Sequence, residues 1–154
     1  MLCNTRKIIK MFTINRIIKD PLFESMTSSY VSTQEQYHHE HLTWERLLAF
    51  FKQENAFFKT RLSEVLDRDM GKDLLALAEH FQNQFIVKDE YIDELKHDVH
   101  EIDMILQQDM RAGRNTPDKR MEARHNKLKE EVEFLEKNFS ELKKEFNDYL
   151  ISLL

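Results

Sequence analysis

The chain reads as an all-α protein, an antiparallel three-helix bundle or coiled coil of long helices. Two observations predict this. Three stretches carry a recurring 4-3-4-3 apolar spacing, and 154 residues include only two glycines and two prolines. A spacing that averages about 3.5 residues keeps one seam of an α-helix turned toward a neighbour. So little glycine and proline leaves room for few turns. That argues against sheets, barrels and the glycine-rich loops that cradle phosphates.

The first stripe is Tyr37, His41, Trp44, Leu48, Phe51, Asn55, Phe58, Leu62 and Val65. Ser32, followed three residues later by Glu35, is a capping box, and it starts this helix at about residue 33. The helix is expected to run to about Leu66, where Asp67, Asp69 and Gly71 break it. The second stripe is Leu74, Ala78, Phe81, Phe85, Lys88, Ile92, Leu95, Val99, Ile102, Leu106 and Asp109, on a helix over about 72–110 that ends around Gly113. The third is Met121, His125, Leu128, Val132, Leu135, Phe139, Leu142, Phe146, Tyr149 and Leu153. Thr116 as cap, Pro117 at the first helical position and Asp118 in the first turn predict a helix over about 117–152. Each helix is roughly 50–60 Å long at its standard rise. The short connections make sequential neighbours antiparallel. Leu47, Phe50 and Phe57 widen the first apolar face, and Leu75, Leu77, Tyr91 and Ile105 widen the second. Faces this wide suit a bundle, in which each helix touches two others.

Residues 32–154 are expected to form a single helical-bundle domain. Residues 1–31 differ in composition and read as a basic, disordered or non-native extension, with Met11 and Met26 as alternative translation starts. Arg6, Lys7, Lys10, Arg16 and Lys19 against Asp20 give residues 1–20 a net charge of +4, which leaves −9 for the rest of a chain whose total is −5. An acidic helical body lacks the basic face that nucleic acid requires, so no nucleic-acid partner is expected. Membrane contact is expected only if residues 1–20 are native, because no apolar run approaches the roughly 20 residues of a span. The single cysteine, Cys3, excludes an intrachain disulfide. A cytoplasmic location is the default.

Seven histidines raise metal chemistry. A hairpin turning near Asp69 sets His38 and His41 level with His100 and His97. However, the stripe of Leu95, Val99 and Ile102 turns His97 away from the core. Glu35/His38, Glu94/His97 and Glu122/His125 each have the Glu-x-x-His spacing of di-iron bundles. Only His125 lies on a stripe, and a fourth helix is missing. His41 and His125 occupy stripe positions where leucine is expected. The third helix returns parallel to the first, so the two histidines fall near one end of the bundle, offset by about one to two turns, with Tyr37 and Asp103 at the same end. They are expected to form a polar layer that fixes register. The alternative is a metal site built from His41 and His125 with Asp103 or Glu45. Asn55 and Lys88 complete the expected register-setting polar core, close together with Glu54 nearby; alternatively, Lys88 snorkels past Phe51 to solvent.

No nucleophile pairs with a base. The chain is therefore expected to be non-enzymatic, with no cofactor and no small-molecule substrate. It is expected to act through protein–protein contacts, with self-association as the simplest form. The candidate contact residues are Leu47, Phe50, Phe57 and Tyr91. The Phe50–Phe57 edge is expected to lie under the third helix unless that helix occupies the other groove.

Overall fold

The computed structural model describes residues 31–67 and 71–154. The expectation for the N-terminal extension and the role of Asp69 lie outside them. The described residues form three α-helices: α1 over Thr33–Leu66, α2 over Lys72–Arg111 and α3 over Lys119–Ser152. They pack as a three-helix bundle.

The helix ends follow from local chemistry. Ser32 Oγ accepts the Glu35 N–H at 3.2 Å, and Glu35 Oε2 accepts the Ser32 N–H at 2.8 Å, so the capping box is complete. Ala112 ends α2, and Gly113 follows at φ 77°, a left-handed conformation that a side chain would strain. The Gly113 N–H bonds Met110 O and the Arg114 N–H bonds Asp109 O, both at 3.0 Å, the two bonds of a Schellman motif. The start of α3 differs from expectation. Asp118 is the cap, its Oδ1 accepting the Met121 N–H at 2.7 Å. A carboxylate is a stronger acceptor than the Thr116 hydroxyl and favours the positive end of the helix. Pro117 therefore precedes the helix.

The core follows the predicted seam, although its members Tyr37, Leu74, Lys88, Asp109 and Leu153 are only half-buried. Leu48, Phe51, Phe58 and Leu62 of α1 are buried against Phe85, Ile92, Leu95, Val99, Ile102 and Leu106 of α2 and Leu128, Val132, Leu135, Phe139 and Phe146 of α3. Phenylalanine rings tie the three helices together. Phe58 lies 5.8 Å from Phe85, 6.0 Å from Phe139 and 5.6 Å from Phe146, and Phe85 meets Phe146 edge-on at 5.0 Å. Burying one such ring is worth about 1.5–3 kcal/mol.

The level of the hairpin differs from that set by a turn at Asp69. His41 faces Asp103, Glu45 faces His100, Lys52 faces Asp93, and Asn55 faces Asp89. The opening turns of α2 thus project past the end of α1, where Leu75 and Leu77 are exposed. Tyr149 of α3 covers part of this overhang, donating its hydroxyl to Leu74 O at 3.2 Å. α3 packs more extensively against α2 than against α1.

Phe146→Ala removes a fully buried ring shared by all three helices and is expected to cost about 3–5 kcal/mol. Phe134→Ala, at a position 60% exposed, is expected to change stability by less than about 0.5 kcal/mol. Urea unfolding of the two variants measures both; equal losses would mean that α3 packs on a different face.

Candidate functional site

The apolar seam is interrupted most heavily where α1 begins, α2 ends and α3 begins. His41 and His125 replace leucines on their stripes, and both are buried. They are level, with no offset. His41 Nε2 and His125 Nδ1 lie 3.0 Å apart. On its other side, His41 Nδ1 meets Asp103 Oδ1 at 3.0 Å. On its other side, His125 Nε2 meets Glu40 Oε2 at 2.9 Å. His38 Nδ1 also meets Asp103 Oδ1, at 2.8 Å, and Gln107 Nε2 donates to Asp103 Oδ2 at 2.6 Å. The result is a continuous polar chain across the bundle, from His38 through Asp103, His41 and His125 to Glu40.

Aromatic rings enclose it. Tyr37 stacks on the His125 ring at 3.6 Å and within 6° of parallel. Trp44 lies 5.4 Å from His41 and 5.0 Å from His125. One turn nearer the helix start, Gln34 is only 1% exposed, and among the described residues neither its Nε2 nor its Oε1 has a hydrogen-bond partner. A buried amide group without partners costs about 1–3 kcal/mol.

Burial pushes His41 below the ordinary imidazole range, against the opposing pull of Asp103. Burial also lowers His125, and positive charge on His41 lowers it further, while Glu40 opposes both. Burial works to raise Asp103, but hydrogen bonds from His38, Gln107 and His41 outweigh it and hold the carboxyl below its usual range. Burial raises the Tyr37 phenol, and the nearby Glu122 and Glu40 carboxylates raise it further.

The other predicted positions divide. Asn55 is buried, donating to Phe85 O at 2.8 Å and to Asp89 Oδ1 at 2.9 Å. Asp89 also pairs with Lys59 and Lys52. Burial works to raise this carboxyl, and those three donors outweigh it and lower it. Lys88 is not part of the polar core. It is half-buried, lining a surface cleft with Gln84, Glu141 and Glu145. Its long stem can carry the ammonium toward solvent. Glu54 pairs with Lys143 of α3 at 2.5 Å. Glu45 does not join the histidine pair, because it faces α2 and meets His100 at 3.5 Å on the surface. The alternative metal set of His41, His125, Asp103 and Glu45 therefore does not converge. Among the described residues, no group of three or more His, Cys, Asp or Glu is arranged to hold a metal ion.

Leu47 and Tyr91 are half-buried against the core, whereas Phe50 and Phe57 are 51% and 58% exposed. The expected cover by α3 is absent because α3 sits closer to α2. Tyr91 belongs to the α2–α3 side, where the Glu131 carboxylate of α3 acts on its phenol. It does not share an edge with the two phenylalanines.

Sequence reasoning missed Gln34, Glu40, Asp89 and Gln107, and it weighed His38 only for metal chemistry and not as a partner of Asp103. For Gln34 a signal existed, since its position extends the 3-4-3 spacing of Tyr37, His41 and Trp44 by one step. Among the described residues, no helix is long and apolar enough to cross a membrane. No protein family, curated protein or solved structure matches the chain.

Acid is expected to destabilise the protein in two stages. Burial makes the histidine pair resist protonation that the unfolded chain accepts below its value of about 6.5, and this contribution to stability is lost as the pH falls below that value. Asp89 and Asp103 hold theirs until the pH falls below the unfolded aspartate value of about 3.9, and lose it as the pH drops through their lowered folded values. Urea midpoints measured against pH should show the upper stage in the wild type and not in a His41→Leu/His125→Leu protein. An upper stage unchanged in that protein would assign it to other groups.

Proposed function

We propose that this chain is a non-enzymatic helical bundle that works by helix-against-helix association with a protein, in the first instance a second copy of itself. The supporting observation is that, among several exposed large apolar side chains, Phe50 and Phe57 are both aromatic, 51% and 58% exposed, and lie on one ridge of the same helix. Leu47, Phe50, Glu54 and Phe57 form one ridge of α1, at the spacing that aligns residues along a helix face. Glu54 reaches Lys143 of α3 from this ridge, so the ridge borders the α1–α3 groove, where packing is least extensive. Water gains by losing contact with large aromatic surfaces, and such surfaces carry much of the energy of helix interfaces.

A second copy fits the pattern economically. Two α1 ridges laid antiparallel about a two-fold axis midway between the phenylalanines set Phe50 of each copy against Phe57 of the other. One contact type then serves both rows, as closed symmetry requires. The Asn55 amide donor and several charges beside the seam, Lys52, Lys59, Arg124 and Lys143 among them, are engaged within the chain, so the specificity of this contact rests largely on the shape of the ridge.

Sedimentation equilibrium of the full chain is expected to give a dimeric mass. Phe50→Asp/Phe57→Asp is expected to weaken association by roughly 30-fold or more while leaving the helical circular dichroism unchanged. A wild-type protein that stays monomeric throughout the micromolar range would sink the self-association reading.

A further inference from the structure

The buried chain at the start of α1 has a proton count that neutral side chains do not meet. Three contacts run in series: Asp103 Oδ1 to His41 Nδ1 at 3.0 Å, His41 Nε2 to His125 Nδ1 at 3.0 Å, and His125 Nε2 to Glu40 Oε2 at 2.9 Å. Each brings two acceptor-capable atoms together and requires one proton between them. Two neutral imidazoles supply two protons, and ionised carboxylates supply none. Whichever tautomers are chosen, one contact is left with a lone pair against a lone pair. The arrangement is complete with three protons. A fourth would set N–H against N–H between the rings.

We propose that His41 and His125 share a single proton as an imidazolium–imidazole unit between Asp103 and Glu40, and that this proton latches the end of the bundle where α1 begins. The surrounding groups fit one positive charge and no more. From α1, Glu40 faces the pair, Tyr37 stacks on His125, and His38 shares the Asp103 oxygen. From α2, Asp103 closes one end, with Gln107 on its second oxygen. From α3, Lys129 opposes added charge on His125, and Glu122 acts on Tyr37. One shared proton reduces the charge of two carboxylates and two rings from −2 to −1 in a buried setting, which lowers the cost of burial. Burial lowers the proton affinity of each ring taken alone, and positive charge on His41 lowers that of His125 further, while Asp103 and Glu40 at the two ends oppose this; the contacts require one proton and leave no place for a second.

The latch therefore opens in both pH directions. Below its range, a second proton drives the rings apart. Above it, loss of the shared proton sets the bare His125 Nε2 against the Glu40 carboxylate. On this alkaline side the closed end holds one proton more than the open end, whose histidines are ordinary. On this limb closure is lost as the pH rises from the ordinary imidazole value through the shared proton's own titration, by about tenfold per pH unit in between.

Nitrogen-detected NMR of the full chain, labelled at histidine, reads the count directly. The expected result at neutral pH is three protonated nitrogens among the four of the pair, with a scalar coupling across the His41–His125 hydrogen bond. Amide exchange over the first turns of α1, corrected for its intrinsic pH dependence, is expected to be slowest in that range and faster on both sides. Glu40→Gln supplies an amide donor to His125 Nε2, so two neutral rings complete the chain. In that variant the alkaline limb should vanish and the pair should carry two protons. Two neutral rings in the wild type at neutral pH, or an alkaline limb of unchanged size in Glu40→Gln, would overturn the proposal. The wild-type count decides it even if the variant does not fold.

Discussion

The rings of Phe58, Phe85, Phe139 and Phe146 bring all three helices into one cluster, and the remaining packing is arranged around it. The seam positions on either side repeat every seven residues on average, so side chains from three helices enter one continuous core. Such a seam is strong but nearly degenerate along its axis. Sliding one helix by a heptad would still set apolar residues against apolar residues. The level of the helices must therefore come from contacts that do not repeat. Asn55 with Asp89, Lys52 with Asp93, and His41 between Asp103 and His125 are such contacts. Each is satisfied at one level only. A slip would leave a buried amide or imidazole without a partner, at the cost of a desolvated polar group.

The placement of α3 has a second consequence. By packing more extensively on α2 than on α1, it leaves one shoulder of α1 open. The ridge through Phe50 and Phe57 is continuous with the core, because those rings touch their buried neighbours Phe51 and Phe58. A partner helix laid on the ridge would extend the core outward.

The two ends of the bundle differ in kind. At the far end the core finishes in aromatic contacts among Phe81, Phe146 and Tyr149. At the near end it finishes in Gln34, two histidines and a carboxylate, all buried. A hydrophobic replacement of similar size would be as stable or more so. The polar end contributes directionality and a dependence on protons that leucines could not provide. Tyr37 stacked over His125 limits the access of water to that ring and keeps its charge state coupled to its neighbours.

The sequence by itself determined the three helices, their seam and most of their caps. Those features are local or periodic: a capping box spans four residues, and a 3.5-residue repeat is visible without any knowledge of the partner helix. It also singled out His41, His125 and Asn55, because each interrupts an apolar stripe. Only the tertiary structure decided their partners. Glu40 and His38 flank the stripe and carry no periodic mark. Glu45 was an equally good candidate until the rotation of α1 turned it toward His100. Lys88 held a stripe position as firmly as Asn55, yet its flexible stem reaches the surface and the short asparagine cannot. The level of the hairpin, the position of α3 between two grooves and the exposure of Phe50 and Phe57 depend on the relative placement of whole helices. That placement is set by the fit of many side chains at once, and no single stretch of the chain encodes it.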